Sequence, residues 1–246
     1  MQKVLAMVLF GILAGVGFAN PGKYPIGASG RGPFKMKSVS SASELAQKAL
    51  EAHGGKLYKE MKTLSISGSV DVTASMINQP IPATFLTIFS GDKYRIEINN
   101  PFQPLKQSFD GIETYSSLGQ GFTLPPINRL GLPMLQKLGD DGYVVSELED
   151  AKKNGFRLTS PDGYFTDFYL DKKTNLVKGY DSTYVVNNRK VVTAVEIDKN
   201  LEKNGIVIPQ KYAQRFDMGQ MTVYAEFKAK EILVNIEIEP GVFRLN

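Results

Sequence analysis

The sequence contains no cysteine, no tryptophan and a single histidine, His53. Without cysteine it can form neither disulfides nor thiolate metal sites, and it lacks the residue to which bacterial lipoproteins attach their lipid. With one histidine it also lacks the usual ligand set of a zinc site. A serine hydrolase would have to use His53, and no Gly-x-Ser-x-Gly elbow is present. We therefore expect no cofactor, no metal and no enzymatic activity.

The chain also lacks a strong charge and a long hydrophobic run. Its formal net charge of +4 is spread over interleaved basic and acidic residues, which argues against a face that binds nucleic acid. The apolar run from Val4 to Phe18 follows Lys3 and is shorter than the ~20 residues that span a bilayer. This pattern predicts an export signal over residues 1–19, cleaved near Ala19, and an uncleaved membrane anchor is the alternative.

The stretch after the predicted signal has little capacity to fold. Residues 20–40 are rich in glycine, proline, serine and basic residues and show no apolar period, so we expect a flexible leader. The folded domain is predicted to occupy residues 41–246. Because the mature chain has no cysteine to carry a lipid, we expect it to be soluble in the periplasm.

The single histidine lies at the end of a predicted helix. Ser41 and Glu44 have the spacing of a capping box, and apolar residues then recur at helical spacing up to His53. Gly54 lies where a left-handed residue usually ends a helix. We interpret His53 as a structural residue that covers core surface and, when protonated, faces the negative end of the helix dipole. Replacing it with alanine should then leave ligand binding unaltered and change stability by no more than ~1 kcal/mol.

From Leu64 onward the apolar period becomes two, which is typical of β-strands. Turn signals such as Gly-Asp at 91–92 and Asn-Gly at 204–205 separate further strand candidates and make neighbours antiparallel. We expect a mainly β (α+β) chain with one large, curved antiparallel sheet and an N-terminal helix, because a flat sheet of that width would not keep its twist. The further candidate strands are 83–90, 93–99, 104–109, 112–117, 155–160, 163–170, 176–186, 190–200, 206–217, 220–228 and 231–238.

One apolar stretch, residues 122–143, interrupts the succession of strands. It is too apolar for a free loop, and strands such as 83–90 carry apolar residues on both sides, so we expect this stretch to cover the second face of the sheet. A fixed plug and a mobile lid over a cavity are both open alternatives. The apolar residues of this cover are Leu130, Leu132, Met134, Leu135 and Leu138.

Several motifs, taken in order, carry a resemblance to a known family. The stretch "ALEAHGGKLYKEMKTLSISGSV" at residues 49–70 reads as a helix ending in Gly-Gly, a short helical turn and a first strand. It is followed by "KYRIEI" at 93–98, "SFDGIETYS" at 108–116, "FYLDKKTNLVKGY" at 168–180, "GIVIPQKYAQRF" at 205–216 and "ILVNIEIEPGVFRLN" at 232–246. This order resembles the LolA/LolB-like family of bacterial lipoprotein-sorting proteins, over about residues 43 to 246.

The resemblance implies an unclosed antiparallel β-barrel of about eleven strands around a hydrophobic cavity, with a helical lid over residues 125–139. It implies a lipid-binding cavity lined by Phe85, Phe89, Tyr94, Ile96, Ile98 and Phe109. In the family, an arginine directly before a proline at the start of the third strand latches the lid. Here that place reads "GDKY", and Arg95 lies inside the strand instead.

The resemblance also implies a function. On this resemblance, the protein is expected to be a soluble periplasmic carrier that shields the acyl chains of a lipoprotein or other lipid during transfer towards the outer membrane. Its partners would be those acyl chains, an inner-membrane donor and an outer-membrane acceptor, and we expect no nucleic acid and a monomer. The alternative is a periplasmic lipid-sensing protein that regulates envelope stress through a protein partner. The absence of a clear second domain in the sequence favours the carrier.

Overall fold

The computed structural model describes residues 41–74, 79–102, 104–117, 126–186, 189–218 and 221–244. The predicted signal peptide and leader, residues 1–40, lie outside the described residues, and so do residues 122–125 at the start of the predicted cover. No helix in the described part of the chain is long and apolar enough to cross a membrane.

The described residues begin with two short helices, α1 at Ala42–Ala52 and α2 at Lys56–Lys59. The amide of Glu44 donates to the Ser41 hydroxyl over 3.2 Å, so the predicted N-terminal cap is present. One side of α1 is buried against the sheet, as its apolar spacing predicts. The buried residues of this side are Ala46, Ala49 and Leu50.

The end of α1 also matches the prediction. His53 is the C-cap residue of α1. Gly54 follows it with a φ of +119°, a conformation that glycine adopts without strain. A side chain at Gly54 would place its Cβ 2.5 Å from the carbonyl oxygen of Gly205. Helix termination and close packing therefore both require glycine at this position.

Beyond these helices, the described residues form one curved sheet of twelve antiparallel strands in the order β5-β4-β3-β2-β1-β12-β11-β10-β9-β8-β7-β6. The first and last strands pair at its centre, and the sheet is left unclosed because β5 and β6 form its two edges. This confirms the predicted fold class. The bounds are β1 Thr63–Ala74, β2 Ile81–Ser90, β3 Lys93–Asn99, β4 Leu105–Phe109, β5 Thr114–Ser116, β6 Val144–Ser146, β7 Gly155–Thr159, β8 Phe165–Leu170, β9 Val177–Val186, β10 Arg189–Lys203, β11 Ile206–Met218 and β12 Met221–Val234.

Two strands differ from the sequence-based prediction. The short edge strand β6 lies where the sequence predicts none. The candidates 220–228 and 231–238 are one strand, β12, whose register shifts by one residue opposite Ser67 and Gly68. Such a bulge keeps the two strands paired but interrupts the period of two, so the pattern alone indicates a break that the backbone does not have.

The inner face of the sheet carries the core. The strand register places Leu64, Phe89 and Val234 side by side on neighbouring strands. Every second side chain of β1 points to this same face, as predicted. α1 packs on β6 and β7, while α2 packs on a 3-10 helix at Leu132–Lys137. The helices therefore lie over the inner face, and they leave the outer face to be covered by another segment.

The outer face at β3 is contacted by a segment near the C-terminus. Ile88 points outward and is buried, and it lies directly opposite Arg95 in the sheet. The Arg95 guanidinium donates to the Val242 carbonyl over 2.5 Å and to the Glu97 carboxylate over 2.6 Å. Val242 belongs to a 3-10 helix at Pro240–Phe243. The expectation that residues 122–143 cover the second face is therefore wrong for β3.

Candidate functional site

The site begins with the segment that joins the two edge strands. We call residues 126–139 of this segment the covering segment. It contains 3-10 helices at Ile127–Arg129 and Leu132–Lys137, where the resemblance implies a helical lid. All five of its predicted apolar residues are buried, namely Leu130, Leu132, Met134, Leu135 and Leu138. The segment packs over the inner face, and its opening remains a prediction.

The helix α2 holds the covering segment by polar contacts at both ends of the second 3-10 helix. The Tyr58 hydroxyl donates to the Leu132 carbonyl over 2.9 Å, and the Lys59 ammonium donates to the Leu138 carbonyl over 2.6 Å. In return, the Gln136 amide donates to the Tyr58 carbonyl over 2.9 Å. The Leu138 carbonyl lies at the C-terminal end of the 3-10 helix, where carbonyls are left unpaired, so the Lys59 contact satisfies a group that would otherwise be orphaned.

The strands β8 and β9 hold the same segment from the other side. The Gly131 amide donates to the Thr166 hydroxyl over 2.9 Å, and that hydroxyl lies 2.9 Å from the hydroxyl of Ser182. Gly131 has a φ of +64°, and a Cβ there would lie 2.5 Å from the ring of Tyr180. The ring therefore packs directly against the backbone of the covering segment, and glycine permits this approach.

Charged side chains fix the rim of the segment. Lys137 Nζ lies 3.1 Å from the carboxylate of Asp92, in the turn between β2 and β3, and the Asn128 amide donates to the Asp92 carbonyl over 2.7 Å. Arg129 pairs with Asp162 at the turn between β7 and β8. The turn that reads "GDKY" thus contacts the covering segment through Asp92, while Arg95 lies on the outer face.

An apolar cavity of about 160 Å³ lies beneath the covering segment. An engineered cavity of about this size accommodates benzene, so the space in this conformation is far smaller than a long acyl chain requires. Its walls come from both halves of the sheet and from the underside of the segment. Apolar lining residues include Ile66, Phe89, Ile96, Leu130, Val195 and Ile208.

The six residues proposed for a lipid cavity all lie on the inner face of β2, β3 and β4, because the register aligns them. The structure places Phe89 and Ile96 in the cavity wall. Phe85 and Ile98 belong to the packed core, where Phe85 meets Phe227 edge-to-face at 5.0 Å. Tyr94 and Phe109 lie together at a ring separation of 6.1 Å.

Sequence reasoning missed the opposite wall, which comes from β9 to β12. Tyr180 and Ser182 alternate with outward residues on β9 as the predicted strand requires, and Tyr212 on β11 stacks on Phe227 at 4.7 Å. The period of two indicates that these side chains face inward. It does not indicate which inward positions remain unfilled, because that depends on how the covering segment packs.

The single histidine does not line the cavity, although its ring packs edge-on against that of Tyr58 at 5.8 Å. His53 is fully buried; its Nδ1 lies 2.7 Å from the Val207 carbonyl, and its Nε2 accepts the amide of Val177 over 3.1 Å. Burial lowers the pKa of His53, and the Val207 carbonyl opposes this only in part. The ring is therefore neutral with its proton on Nδ1, so the expected protonated role at the helix end is wrong. Its structural role as the end of the helix is confirmed.

The polar side chains of the cavity are neutral: hydroxyls, and the amides of Gln136 and Gln214. Burial raises the pKa of Tyr58 and of Tyr180 above their usual range, so both remain protonated at physiological pH. The described residues contain no group of three or more side chains that could hold a metal ion. This arrangement is suited to enclosing an apolar group and offering it a few hydrogen bonds.

Comparison with known proteins shows the fold. No family model matches the sequence, and no curated protein matches it. The structure is similar to a LolA superfamily protein from Nitrosomonas europaea, with a TM-score of 0.53 and 11% identity over 84% of this chain and 99% of that one. It is also similar to a DUF1329 family protein from Desulfovibrio piger, with a TM-score of 0.50 and 9% identity over 84% of this chain and 98% of that one. The chain therefore has a LolA-like fold.

Proposed function

We propose that this protein is a soluble periplasmic carrier that holds the acyl chains of a lipoprotein or other lipid between its sheet and the covering segment. The observation that carries the proposal is the apolar cavity beneath a segment that connects the two edges of an unclosed sheet. No catalytic group is assigned. The likeness to a LolA superfamily protein and the predicted export signal both support a carrier of this kind.

Displacement of the covering segment would uncover a large apolar surface. The segment buries five apolar side chains, and the inner face beneath it is lined by aromatic and branched residues. Transfer of each methylene from water contributes ~0.8 kcal/mol, so a 14-carbon chain gains on the order of 10 kcal/mol before other costs. An acyl chain can therefore replace the contacts that the segment loses when it moves aside.

The second candidate is a lipid-sensing protein that regulates envelope stress through a partner. The complete burial of Met134 and Leu135 favours it, because a segment packed this tightly also fits a permanent plug. A plugged protein would present an outer surface to its partner and would take up no ligand.

Two measurements on the protein isolated from a bacterial periplasm test the carrier. Mass spectrometry of the organic extract should detect acyl lipid in a fixed ratio to protein, and the delipidated protein should take up the apolar probe N-phenyl-1-naphthylamine with a rise in fluorescence. If no lipid is extracted and no probe enters, the carrier function is rejected.

A further inference from the structure

Hydroxyl groups converge on two neighbouring backbone groups of the covering segment inside a largely apolar cavity. The Leu132 carbonyl accepts from Tyr58 over 2.9 Å, and the neighbouring Gly131 amide donates to Thr166 over 2.9 Å. Ser182 supports Thr166 from the adjacent strand at 2.9 Å. Tyr180 lies against the same backbone, since a Cβ at Gly131 would be 2.8 Å from its hydroxyl oxygen.

The Tyr58 hydroxyl depends on the covering segment for its acceptor. Its side chain is buried and forms part of the cavity wall, so a ligand that replaces the segment over this wall would shield the hydroxyl from water. A hydrocarbon chain in the same place would leave this donor unpaired, which weakens binding. A ligand with a carbonyl oxygen would replace the bond that Leu132 provides. Thr166 behaves differently, because Ser182 remains as its partner.

We propose that Tyr58, with Tyr180 and Thr166 beside it, forms a binding site for the carbonyl group of an acyl lipid, and that the Leu132 carbonyl occupies this site when no ligand is bound. The proposal rests on the proposed carrier function and adds a ligand class to it: acyl esters or acyl amides in preference to plain hydrocarbon chains. The ligand and the covering segment compete for one donor, so binding of the carbonyl favours the open arrangement.

Displacement of N-phenyl-1-naphthylamine from the full-length protein tests this selectivity. The ligands are methyl tetradecanoate, N-methyl tetradecanamide and heptadecane, which have similar length. We expect the ester and the amide to bind roughly tenfold more tightly than heptadecane, because an unmade hydrogen bond costs about 1.4 kcal/mol, or a factor of ten. The tighter of the two carbonyl compounds indicates whether the natural carbonyl belongs to an ester or an amide.

The variant Tyr58→Phe keeps the ring and removes the hydroxyl. We expect its preference for the ester over heptadecane to fall to within about twofold, while heptadecane binds at least as tightly as to the wild type. Tyr169→Phe is the matched control, because Tyr169 points outward on β8 and its hydroxyl donates to Asp181 over 2.7 Å. It should keep the tenfold preference. If the Tyr58 hydroxyl only holds the covering segment in place and does not bind the ligand, Tyr58→Phe would instead change the affinity for the ester and for heptadecane by the same factor.

A measurement on the wild type keeps the proposal testable if Tyr58→Phe does not fold. The infrared stretch of a ¹³C-labelled ester carbonyl should shift to lower frequency in the protein than in hexane, as hydrogen bonding requires. An unshifted band, or equal binding of ester and heptadecane, overturns the carbonyl site and leaves the carrier function standing. If none of the three compounds displaces the probe or binds to the protein, the carrier function itself is rejected.

Discussion

The His53 ring joins three parts of the chain that are far apart in sequence. It ends α1, accepts the amide of Val177 at the start of β9 and contacts the carbonyl of Val207 near the start of β11. The backbone of His53 adds a further bond, because its carbonyl accepts the Val207 amide over 3.1 Å. The ring therefore positions α1 on the sheet through both of its nitrogens.

We expect His53→Ala to lower the free energy of unfolding by about 2–4 kcal/mol, because it leaves two buried backbone groups unpaired and opens a cavity. This loss exceeds the ~1 kcal/mol expected from the sequence, because that expectation included only the role of His53 at the end of the helix. Urea unfolding followed by circular dichroism measures the loss. Gln47→Ala, on the exposed side of α1, is the control and should change stability by less than about 0.5 kcal/mol. A loss of ~1 kcal/mol or less for His53→Ala would show that the ring bonds contribute little.

The pH dependence of stability provides a second test of the neutral ring. Burial lowers the pKa of His53 in the folded state, so below the unfolded value of about 6.5 the unfolded chain binds a proton that the folded chain does not. Stability from this residue is thus fully present above about pH 6.5 and is lost as pH falls, by up to about 1.4 kcal/mol per pH unit. Since the chain has one histidine, His53→Gln should flatten the curve between about pH 7.5 and about pH 5.5. An unchanged slope would assign the dependence to other groups.

The sequence predicts where the helix ends but not what its last residue contacts. Ser41, Gly54 and the helical spacing are local signals, and local signals determine helix bounds. The partners of His53 lie 124 and 154 positions further along the chain, so only the tertiary fold brings them to the ring. For the same reason, β12 looks like two strands, because its bulge is defined by pairing with Ser67 and Gly68.

At the scale of elements, the second 3-10 helix of the covering segment depends on Gly131. We expect Gly131→Ala to loosen this element, because its φ of +64° strains a side chain and the new Cβ would lie 2.5 Å from the Tyr180 ring. Gly111→Ala is the matched control, since Gly111 has a φ of +101° and its added Cβ would lie no closer than 3.6 Å to a neighbouring atom, in the Lys93 side chain.

Hydrogen exchange of the covering segment distinguishes these two variants. The amide of Met134, which donates to Gly131 over 3.0 Å, should exchange at least about tenfold faster in Gly131→Ala than in the wild type, and the probe should enter faster. Gly111→Ala should leave both rates unchanged, because its strain is confined to the exposed turn between β4 and β5. Equal protection in all three proteins would show that the Tyr180 contact does not hold the segment in place.

At the scale of the whole molecule, the sequence predicts the sheet better than the cavity. Turn signals and the period of two establish that strands are antiparallel and which side chains point inward, and both follow from local chemistry. A cavity is the space that inward side chains fail to fill. Phe85 and Phe89 share strand, face and residue type, yet one fills the core against Phe227 and the other lines the cavity.

The double change Leu135→Asp and Leu138→Asp separates a mobile cover from a fixed plug. Both side chains are buried beneath the covering segment, at 0% and 9% exposure. If the segment is a mobile cover, the two carboxylates hold it in solvent, so retention of lipid and probe is lost while far-ultraviolet circular dichroism still shows the sheet. The control is Leu57→Asp with Ile112→Asp, which adds the same charge at positions 55% and 86% exposed and should retain the probe.

A fixed plug predicts the opposite pair of results. The wild type would take up no probe, and the double change would unfold the domain, because two unpaired carboxylates cannot be buried in an apolar core without a cost of several kcal/mol. The polar contacts around the segment favour the mobile cover, since Lys137 and Asp92 are partly exposed and pairs of this kind contribute about 0–1 kcal/mol. Such pairs position the covering segment on the sheet without a large barrier to its release. Unfolding of the double variant together with a wild type that excludes the probe would reject the carrier and favour the partner-binding function.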